Sequence, residues 1–114
     1  MISIKEIAQD EFKACFELDL NSICLWSKKQ WESEFNRNGV KVIALLLSNE
    51  IIGICAFQVI IDEAHINYLS IKKQFRRKGY GSYLMIYLIQ QSKLMRLKKL
   101  LLAVSELNLN AEEF

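Results

Sequence analysis

The sequence KKQFRRKGYGSYLM, residues 72–85, joins an apolar segment ending at Ile71 to a long apolar segment that begins at Ser82. It holds two of the four glycines of the chain, and five of its residues are basic. The first N–H groups of a helix are free and its dipole is positive at that end, so a basic turn before a helix suits a phosphate. Glycine lets the backbone approach an anion closely. The stretch therefore predicts a strand, a phosphate-binding turn over residues 72–81 and a helix over 82–97.

Other interpretations of the same turn differ in how much of the pattern they explain. A solvated loop that turns on its glycines is the simplest alternative, because two glycines alone are weak evidence for a ligand. A Walker A loop is excluded, since no Gly-Lys-Ser or Gly-Lys-Thr follows. A dinucleotide-binding fold is poorly supported, because both the GxGxxG spacing and an acidic residue at the end of the next strand are missing.

Length and composition predict one globular domain spanning residues 1–114. Hydrophobic residues make up 52% of the chain and charged residues 25%, and the net charge of +2 is too small to argue for nucleic acid. No apolar run approaches the ~18 residues of a membrane span, and charged residues interrupt the N-terminus where a signal peptide would be apolar. The three cysteines follow no metal-ligand or disulfide spacing. We expect a cytoplasmic protein with reduced thiols and no metal.

The hydrophobic pattern along the chain alternates between strand and helix periods. Strands are predicted at residues 1–7, 40–47, 51–61, 65–71 and 98–104, and helices within 9–22, 25–39 and 82–97. Ser27 is the expected N-cap of the second helix, and Trp31 and Phe35 its core side. The third helix is apolar almost all round, which predicts a place in the middle of the domain. The continuous apolar run of the last strand predicts burial on both faces, a parallel pairing and a right-handed crossover. Residues 105–114 are expected to form a loop and a helix start.

The stretch RRKGYG, preceded by INYLSI, resembles the pyrophosphate-binding motif of the GCN5-related N-acetyltransferases, Arg/Gln-x-x-Gly-x-Gly/Ala after the central strand. The stretches LWSKKQW, FQVIIDEAHINYLSI and VSELNLNAEEF resemble the members that acetylate the N-terminal alanine of a small-subunit ribosomal protein. The resemblance covers almost the whole chain. It implies a three-layer α+β fold: a mixed, mostly antiparallel sheet with a central splayed parallel strand pair, flanked by helices. It also implies that residues 1–114 lack the end of the family's last helix and its last strands.

The resemblance implies acetyl-CoA as co-substrate and places its contacts on particular residues. The acetyl group and pantetheine arm would lie along the backbone of Leu69, Ser70 and Ile71. The pyrophosphate would be held by Arg76, Arg77, Lys78, Gly79, Tyr80, Gly81 and Ser82. Asn108 would contact the cofactor from the start of the last helix.

Acetyl transfer to an amine needs a neutral amine, a polarised thioester carbonyl and a proton for the leaving thiolate. The resemblance implies a Glu base on the strand after the motif helix and a Tyr acid in the last helix. Here Ala103 stands at the Glu position, and the Tyr position would lie past Phe114. Substitutes for the base are Glu63, expected in the turn before the central strand, and Glu106; His65 and Ser105 are further groups within reach of the same region.

The leading hypothesis is an N-acetyltransferase that acts on a protein N-terminus, with a ribosomal protein as partner and a monomer or weak dimer as its state. The alternatives are a domain that binds CoA without turnover, and an acetyltransferase for a lysine or a small amine. The basic cluster at residues 72–78 could also bind RNA, but it lacks the interleaved aromatic side chains of single-strand binders. We therefore expect no direct contact with nucleic acid and none with a membrane.

Overall fold

The computed structural model describes residues 1–102 and shows a sheet with helices on both faces. Strands β1 to β5 span Ile2–Glu6, Val40–Leu47, Glu50–Ile60, Glu63–Ile71 and Lys99–Leu102. Helices α1 to α3 span Phe12–Leu20, Lys28–Glu34 and Tyr80–Leu94, with short 3-10 turns at Gln9–Glu11 and Lys73–Phe75. The predicted order of elements is confirmed up to Leu102. The residues predicted to form the last helix lie outside the described part of the chain.

The five strands form one mixed sheet in sequence order. β1 to β4 pair antiparallel, and β4 pairs with β5 in parallel, as the sequence predicts. The described part of β5 pairs only with the first half of β4, from Glu63 opposite Lys99 to Ile66 opposite Leu102. The expected splay of the two strands concerns residues beyond 102, and the handedness of the crossover remains a prediction.

Two tight turns join the three central strands. Ser48 and Asn49 connect β2 to β3 with φ of 50° and 71°, the left-handed pair that suits a two-residue hairpin. Ile61, with φ of 56°, and Asp62 connect β3 to β4. The second turn is shorter than the sequence predicts, because β4 begins at Glu63. Glu63 is therefore a strand residue, and its placement in the turn was wrong.

The sheet separates two hydrophobic cores. The core on the side of α1 and α2 includes Trp31 of α2 and, from the sheet, Val42, Ala44, Ile54, Ala56 and Tyr68. The core on the side of α3 includes Leu84 of α3 and, from the sheet, Ile43, Leu45, Cys55, Leu69 and Ile71. Ser27 caps α2 as predicted: its hydroxyl accepts from Gln30 N at 3.1 Å, and its own N–H donates to Gln30 Oε1 at 2.7 Å.

A β-bulge in β4 changes which side chains face each core. Ala56 lies opposite Tyr68 while Phe57 lies opposite Ile66, so Asn67 is an extra residue in β4. Ile66 and Leu69 both face α3 although they are three residues apart, which a regular strand does not allow. The bulge therefore turns Tyr68 and the residues after it onto the faces from which the site is built.

Two expectations about the third helix and the last strand were wrong. α3 buries Leu84 and Leu88 but leaves Ile86 55% and Leu94 76% exposed, so it covers one face of the sheet from the outside. Leu101 of β5 is 38% exposed, so this strand is not buried on both faces there. Among the described residues, no helix is both long and apolar enough to cross a membrane.

Candidate functional site

The loop after β4 is anchored at its start and takes a left-handed path before α3. The N–H of Lys72 donates to the carbonyl of Ile52 at 2.8 Å, which fixes the loop to β3. Arg77 and Gly79 have φ of 62° and 88°. Left-handed residues beside right-handed ones turn neighbouring N–H groups to one side and form a concave site for an anion.

The N-terminus of α3 completes this concave surface. Gly79 is the N-cap and offers no side-chain acceptor, and the first helical bond runs from Tyr83 N to Gly79 O at 3.0 Å. The N–H groups of Tyr80 and Gly81 precede that bond and have no acceptor within the helix. A Cβ built on Gly79 would meet no heavy atom within 4 Å, so the space above it is open. With exposed Arg77 and Lys78 beside it, this surface fits a phosphate group.

Helix α3 begins at Tyr80, earlier than the sequence predicts. Tyr80 and Gly81 therefore contribute helical N–H groups rather than loop groups, and Gly81 is buried under the helix start. The glycines of the motif serve two different purposes. Gly79 permits the left-handed turn, and Gly81 allows close packing beneath the first helical turn.

Arg76, the first residue of the motif, directs its guanidinium toward the inside of the domain. Its Nε donates to the carbonyl of Ile71 at 2.9 Å, and its Nη2 donates to Ser22 Oγ at 2.8 Å. Ser22 Oγ also donates to Ile71 O at 3.1 Å and lies in a short contact with Ser70 Oγ. These contacts fix the end of β4 and the start of the phosphate-binding loop to the loop after α1.

The second half of β4 presents a free edge within residues 1–102. Leu69, Ser70 and Ile71 pair with β3 on one side, whereas the described part of β5 stops at the level of Ile66. All three side chains are buried, so the backbone is what this segment offers to a ligand. Such an edge can hydrogen-bond an extended, amide-bearing ligand as a neighbouring strand would.

Glu63 and His65 form a carboxylate–imidazole pair at the start of β4. Glu63 Oε1 lies 3.0 Å from His65 Nε2, and Lys99 Nζ lies 3.9 Å from Glu63 Oε2. The two side chains are 31% and 26% exposed, so solvent and ligands reach them. An imidazole held by a carboxylate can accept a proton at its other nitrogen. The sequence identified both residues as candidate bases. Their pairing depends on the strand, which places the two side chains on the same face.

A second carboxylate near the bulge was not predicted from the sequence. Glu34 is buried at the end of α2, where Oε1 accepts from Arg37 Nη1 at 3.0 Å and Oε2 accepts from Asn67 Nδ2 at 3.2 Å. Arg37 also donates to Gln58, which lies opposite His65 on β3. This polar strip therefore runs from α2 to the carboxylate–imidazole pair. Its partners are far apart in sequence, so no local pattern identifies it.

The buried Asp19 is another feature that sequence reasoning missed. Its carboxylate accepts from the N–H groups of Leu25 and Trp26, from Trp31 Nε1 at 3.0 Å and from Tyr68 OH at 2.9 Å. Burial, and then the charge of Asp19, raise the pKa of Tyr68, so its phenol remains a donor. Asp19 thereby fixes the α1–α2 loop, residues 21–27, to the α2-facing side of β4.

A hollow of about 650 Å³ lies elsewhere, between α1 and the β2–β3 turn, with Glu17, Asn21, Glu50 and Lys72 among its lining residues. It reaches the start of the phosphate-binding loop at Lys72 but includes neither the N-terminus of α3 nor the carboxylate–imidazole pair. We therefore place the site at the second half of β4 and its loop. Asn108, Glu106, Ser105 and Ala103 lie outside the described residues. No group of three or more potential metal ligands occurs within residues 1–102.

Within residues 1–102, a bulged strand with a free edge, followed by a loop and helix that fit a phosphate, is the arrangement expected of an N-acyltransferase that uses an acyl-CoA. The family model described as Acetyltransferase (GNAT) family matches residues 3–114, and the chain belongs to this family. It is an N-acetyltransferase domain whose co-substrate is acetyl-CoA. No curated protein sequence matches the chain.

Solved structures with the same fold share little sequence with the chain. The ribosomal-protein-S18-alanine N-acetyltransferase from Escherichia coli is 21% identical, with a TM-score of 0.85 over 95% of this chain and 70% of that one. The ribosomal-protein-alanine N-acetyltransferase from Brucella melitensis biovar Abortus 2308 is 11% identical, with a TM-score of 0.79 over 95% and 83%. The PaiA N-acetyltransferase from Thermoplasma acidophilum, solved with coenzyme A, is 15% identical, with a TM-score of 0.75 over 95% and 82%. These likenesses confirm the predicted fold.

Proposed function

We propose that this chain acetylates the α-amino group of a protein N-terminus, and that the N-terminal alanine of a small-subunit ribosomal protein is its acceptor. The observation that carries the proposal is the Glu63–His65 pair on β4, the strand that leads into the loop at residues 72–79. An imidazole is a weak base, and an α-amino group has a pKa of ~7.7–8.0 against ~10.4 for lysine. About a tenth of the α-amino groups are already neutral at pH 7, so a weak base suffices for them and not for lysine.

The cofactor side of the proposal uses the loop and the helix start. The N–H groups of Tyr80 and Gly81, with the left-handed turn at Gly79, hold the pyrophosphate; Arg77 and Lys78 add charge, and Ser82 lies in the same first helical turn. The pantetheine arm lies along the free backbone edge at residues 69–71, where an N–H polarises the thioester carbonyl. Asn108 is proposed as a further contact.

The acceptor side uses the carboxylate–imidazole pair. His65 takes a proton from the ammonium group, and the neutral amine forms the new C–N bond as the C–S bond breaks. The new amide nitrogen then loses its extra proton and the leaving thiolate gains one, so CoA is released as the thiol. Glu63 holds the imidazole by its Nε2, which leaves Nδ1 to accept the proton. The Glu63 carboxylate is partly exposed on this face and favours an approaching cation. Glu106 remains a candidate for the same region.

Two of the similar structures are named as ribosomal-protein-alanine N-acetyltransferases, which supports that acceptor. Another, from an uncultured soil sample, is an aminoglycoside acetyltransferase solved with sisomicin, with 16% identity and a TM-score of 0.70. Because the similar structures are named for different acceptors, the acceptor of this chain must be identified by experiment. Mass spectrometry would follow acetylation of three amines: an alanine-terminated peptide of the ribosomal protein, the same peptide with a blocked N-terminus and one lysine, and sisomicin.

We expect acetylation of the free N-terminus alone. Acetylation of lysine or sisomicin in its place would refute the acceptor. Binding of acetyl-CoA by calorimetry without turnover of any amine would instead identify a CoA-binding module.

The base is tested by two substitutions and one control. His65→Gln should lower kcat about 100-fold, and Glu63→Gln about tenfold, with unchanged affinity for acetyl-CoA. Lys99→Gln is the matched control, because Lys99 contacts the same carboxylate from a solvent-exposed position. A His65→Gln variant with wild-type kcat would assign the proton transfer to another group.

A further inference from the structure

Ser22 connects the loop after α1 to the loop that holds the phosphate. Its side chain is 8% exposed and receives a hydrogen bond from Arg76 Nη2 at 2.8 Å. The same hydroxyl contacts Ser70 Oγ and the carbonyl of Ile71, both at the end of β4. Ser22 and Arg76 are 54 positions apart in sequence, and their hydrogen bond joins the α1–α2 loop directly to the first residue of the phosphate-binding motif.

The loop that Ser22 belongs to lies on the same side of the sheet as the proposed base, His65. Trp26, at the other end of this loop, is half-buried and packs against Tyr68 with ring centroids 5.3 Å apart. Tyr68 follows the bulge and faces α1 and α2. His65 faces the same side, because Gln58, which lies opposite it on β3, accepts a hydrogen bond from Arg37. Trp26 therefore lies on the same side of β4 as His65.

We propose that Ser22 and Arg76 are positioning residues that couple acetyl-CoA binding to the geometry of the α1–α2 loop, and so to acceptor binding. This inference rests on the proposed function. A phosphate on the loop fixes the left-handed conformation of Arg77, and hence the backbone from which the Arg76 side chain extends. The guanidinium then holds Ser22 through a charge-assisted bond, which adds to the hold of Asp19 on the 21–27 loop, so the loop opens less often before the acceptor arrives.

Coupling of this kind is reciprocal, so each ligand raises the affinity for the other by the same factor. CoA itself serves as the probe, because without an acetyl group it cannot react with a peptide. Calorimetry would measure CoA binding, and hydrogen–deuterium exchange would follow the segment covering residues 19–30. The informative amides are those of Leu25 and Trp26, which donate to Asp19.

In the wild-type chain, we expect CoA to slow exchange of these amides at least fivefold and to raise the affinity for the alanine-terminated peptide about fivefold or more. In Ser22→Ala, CoA should still bind within about threefold of the wild-type affinity, but both effects should disappear. Asn21→Ala is the matched control. Its side chain donates to Glu17 O at 3.1 Å, one helical turn back, so coupling should persist.

The outcomes distinguish a failure of the coupling from a failure of the proposed acetyltransferase function. Loop protection by CoA that is the same in Ser22→Ala and in the wild type would overturn the coupling and leave the acetyltransferase proposal intact. Wild-type CoA binding without any change in the loop would do the same. Absence of CoA binding by the folded wild-type chain would overturn both. If Ser22→Ala does not fold, Arg76→Lys keeps the charge but removes the Nε–Nη2 fork, and should lose the same loop protection.

Discussion

The carboxylate of Asp19 carries a large share of the stability of this small domain, and replacing it by alanine should show this. Asp19 is fully buried and accepts from four donors. Two of them, Trp31 Nε1 and Tyr68 OH, belong to side chains that are themselves fully buried. The other two are backbone N–H groups in the part-buried α1–α2 loop, which water can reach once the carboxylate is removed.

The expected loss follows from the two fully buried donors. A buried donor left without an acceptor costs about 1–3 kcal/mol, so the pair costs about 4 kcal/mol. A chain of 114 residues has an unfolding entropy of about 0.24 kcal/mol/K near its melting temperature, so Tm should fall by about 15 °C. Asp19→Asn keeps one acceptor oxygen and should lose less than half of this.

Urea unfolding followed by tryptophan fluorescence, together with thermal melts by circular dichroism, measures the effect. Glu17→Ala is the control, because Glu17 lies on the same helix with its side chain in solvent. It should change stability by less than about 0.5 kcal/mol. A Tm for Asp19→Ala within 3 °C of the control would refute the assignment of these four hydrogen bonds.

Four further predictions concern thiols and glycines. Burial raises the pKa of Cys15 to about 12 and also raises that of the other buried cysteine; a maleimide should therefore label exposed Cys24 alone in the native chain. The unfolded chain loses these thiol protons near pH 9 and the folded chain does not, so urea titrations should show stability falling as pH rises above about 9. Gly79→Ala should cost about 1–2 kcal/mol through its φ of 88° and weaken acetyl-CoA binding at least tenfold by calorimetry; unchanged affinity would contradict the loop assignment. Gly53→Ala should destabilise the chain by about 1–3 kcal/mol in the same melts, because its Cβ would lie 2.5 Å from Ile71 Cδ1.

The sequence predicted those features that depend on local patterns. The Ser27 cap, the hairpin at Ser48 and the glycine-bearing turn are each set by residues next to one another, and the structure confirms them as elements. The start of β4 was misplaced because Asp62 and Glu63 are both acidic, and charge alone does not separate a two-residue turn from a strand end. The outer face of α3 was misjudged because apolar composition does not show which side of a helix has a partner.

The parts of the site that sequence reasoning missed are tertiary. Asp19, Ser22 and Glu34 occur as ordinary polar residues in or beside helices, and each acquires its role from a partner more than thirty residues away. A buried carboxylate is common only where donors converge, and that convergence depends on how the α1–α2 loop packs on β4. No period or spacing in the sequence records this packing.

The bulge at Asn67 explains why cofactor and acceptor groups can share one strand without competing for space. Before the bulge, Ile66 faces α3, so its neighbour His65 faces α2 and the acceptor side. After the bulge, Leu69 and Ile71 face α3, under the helix whose N-terminus is the proposed phosphate site, while Ser70 faces Ser22. If Asn67 were instead accommodated as a regular strand residue, the second half of β4 would be turned over: Ser70 would enter the apolar core against α3, and Leu69 would replace it beside Ser22. The bulge therefore keeps the apolar core under α3 continuous and leaves a polar side, to which we assign both proton transfer and loop positioning.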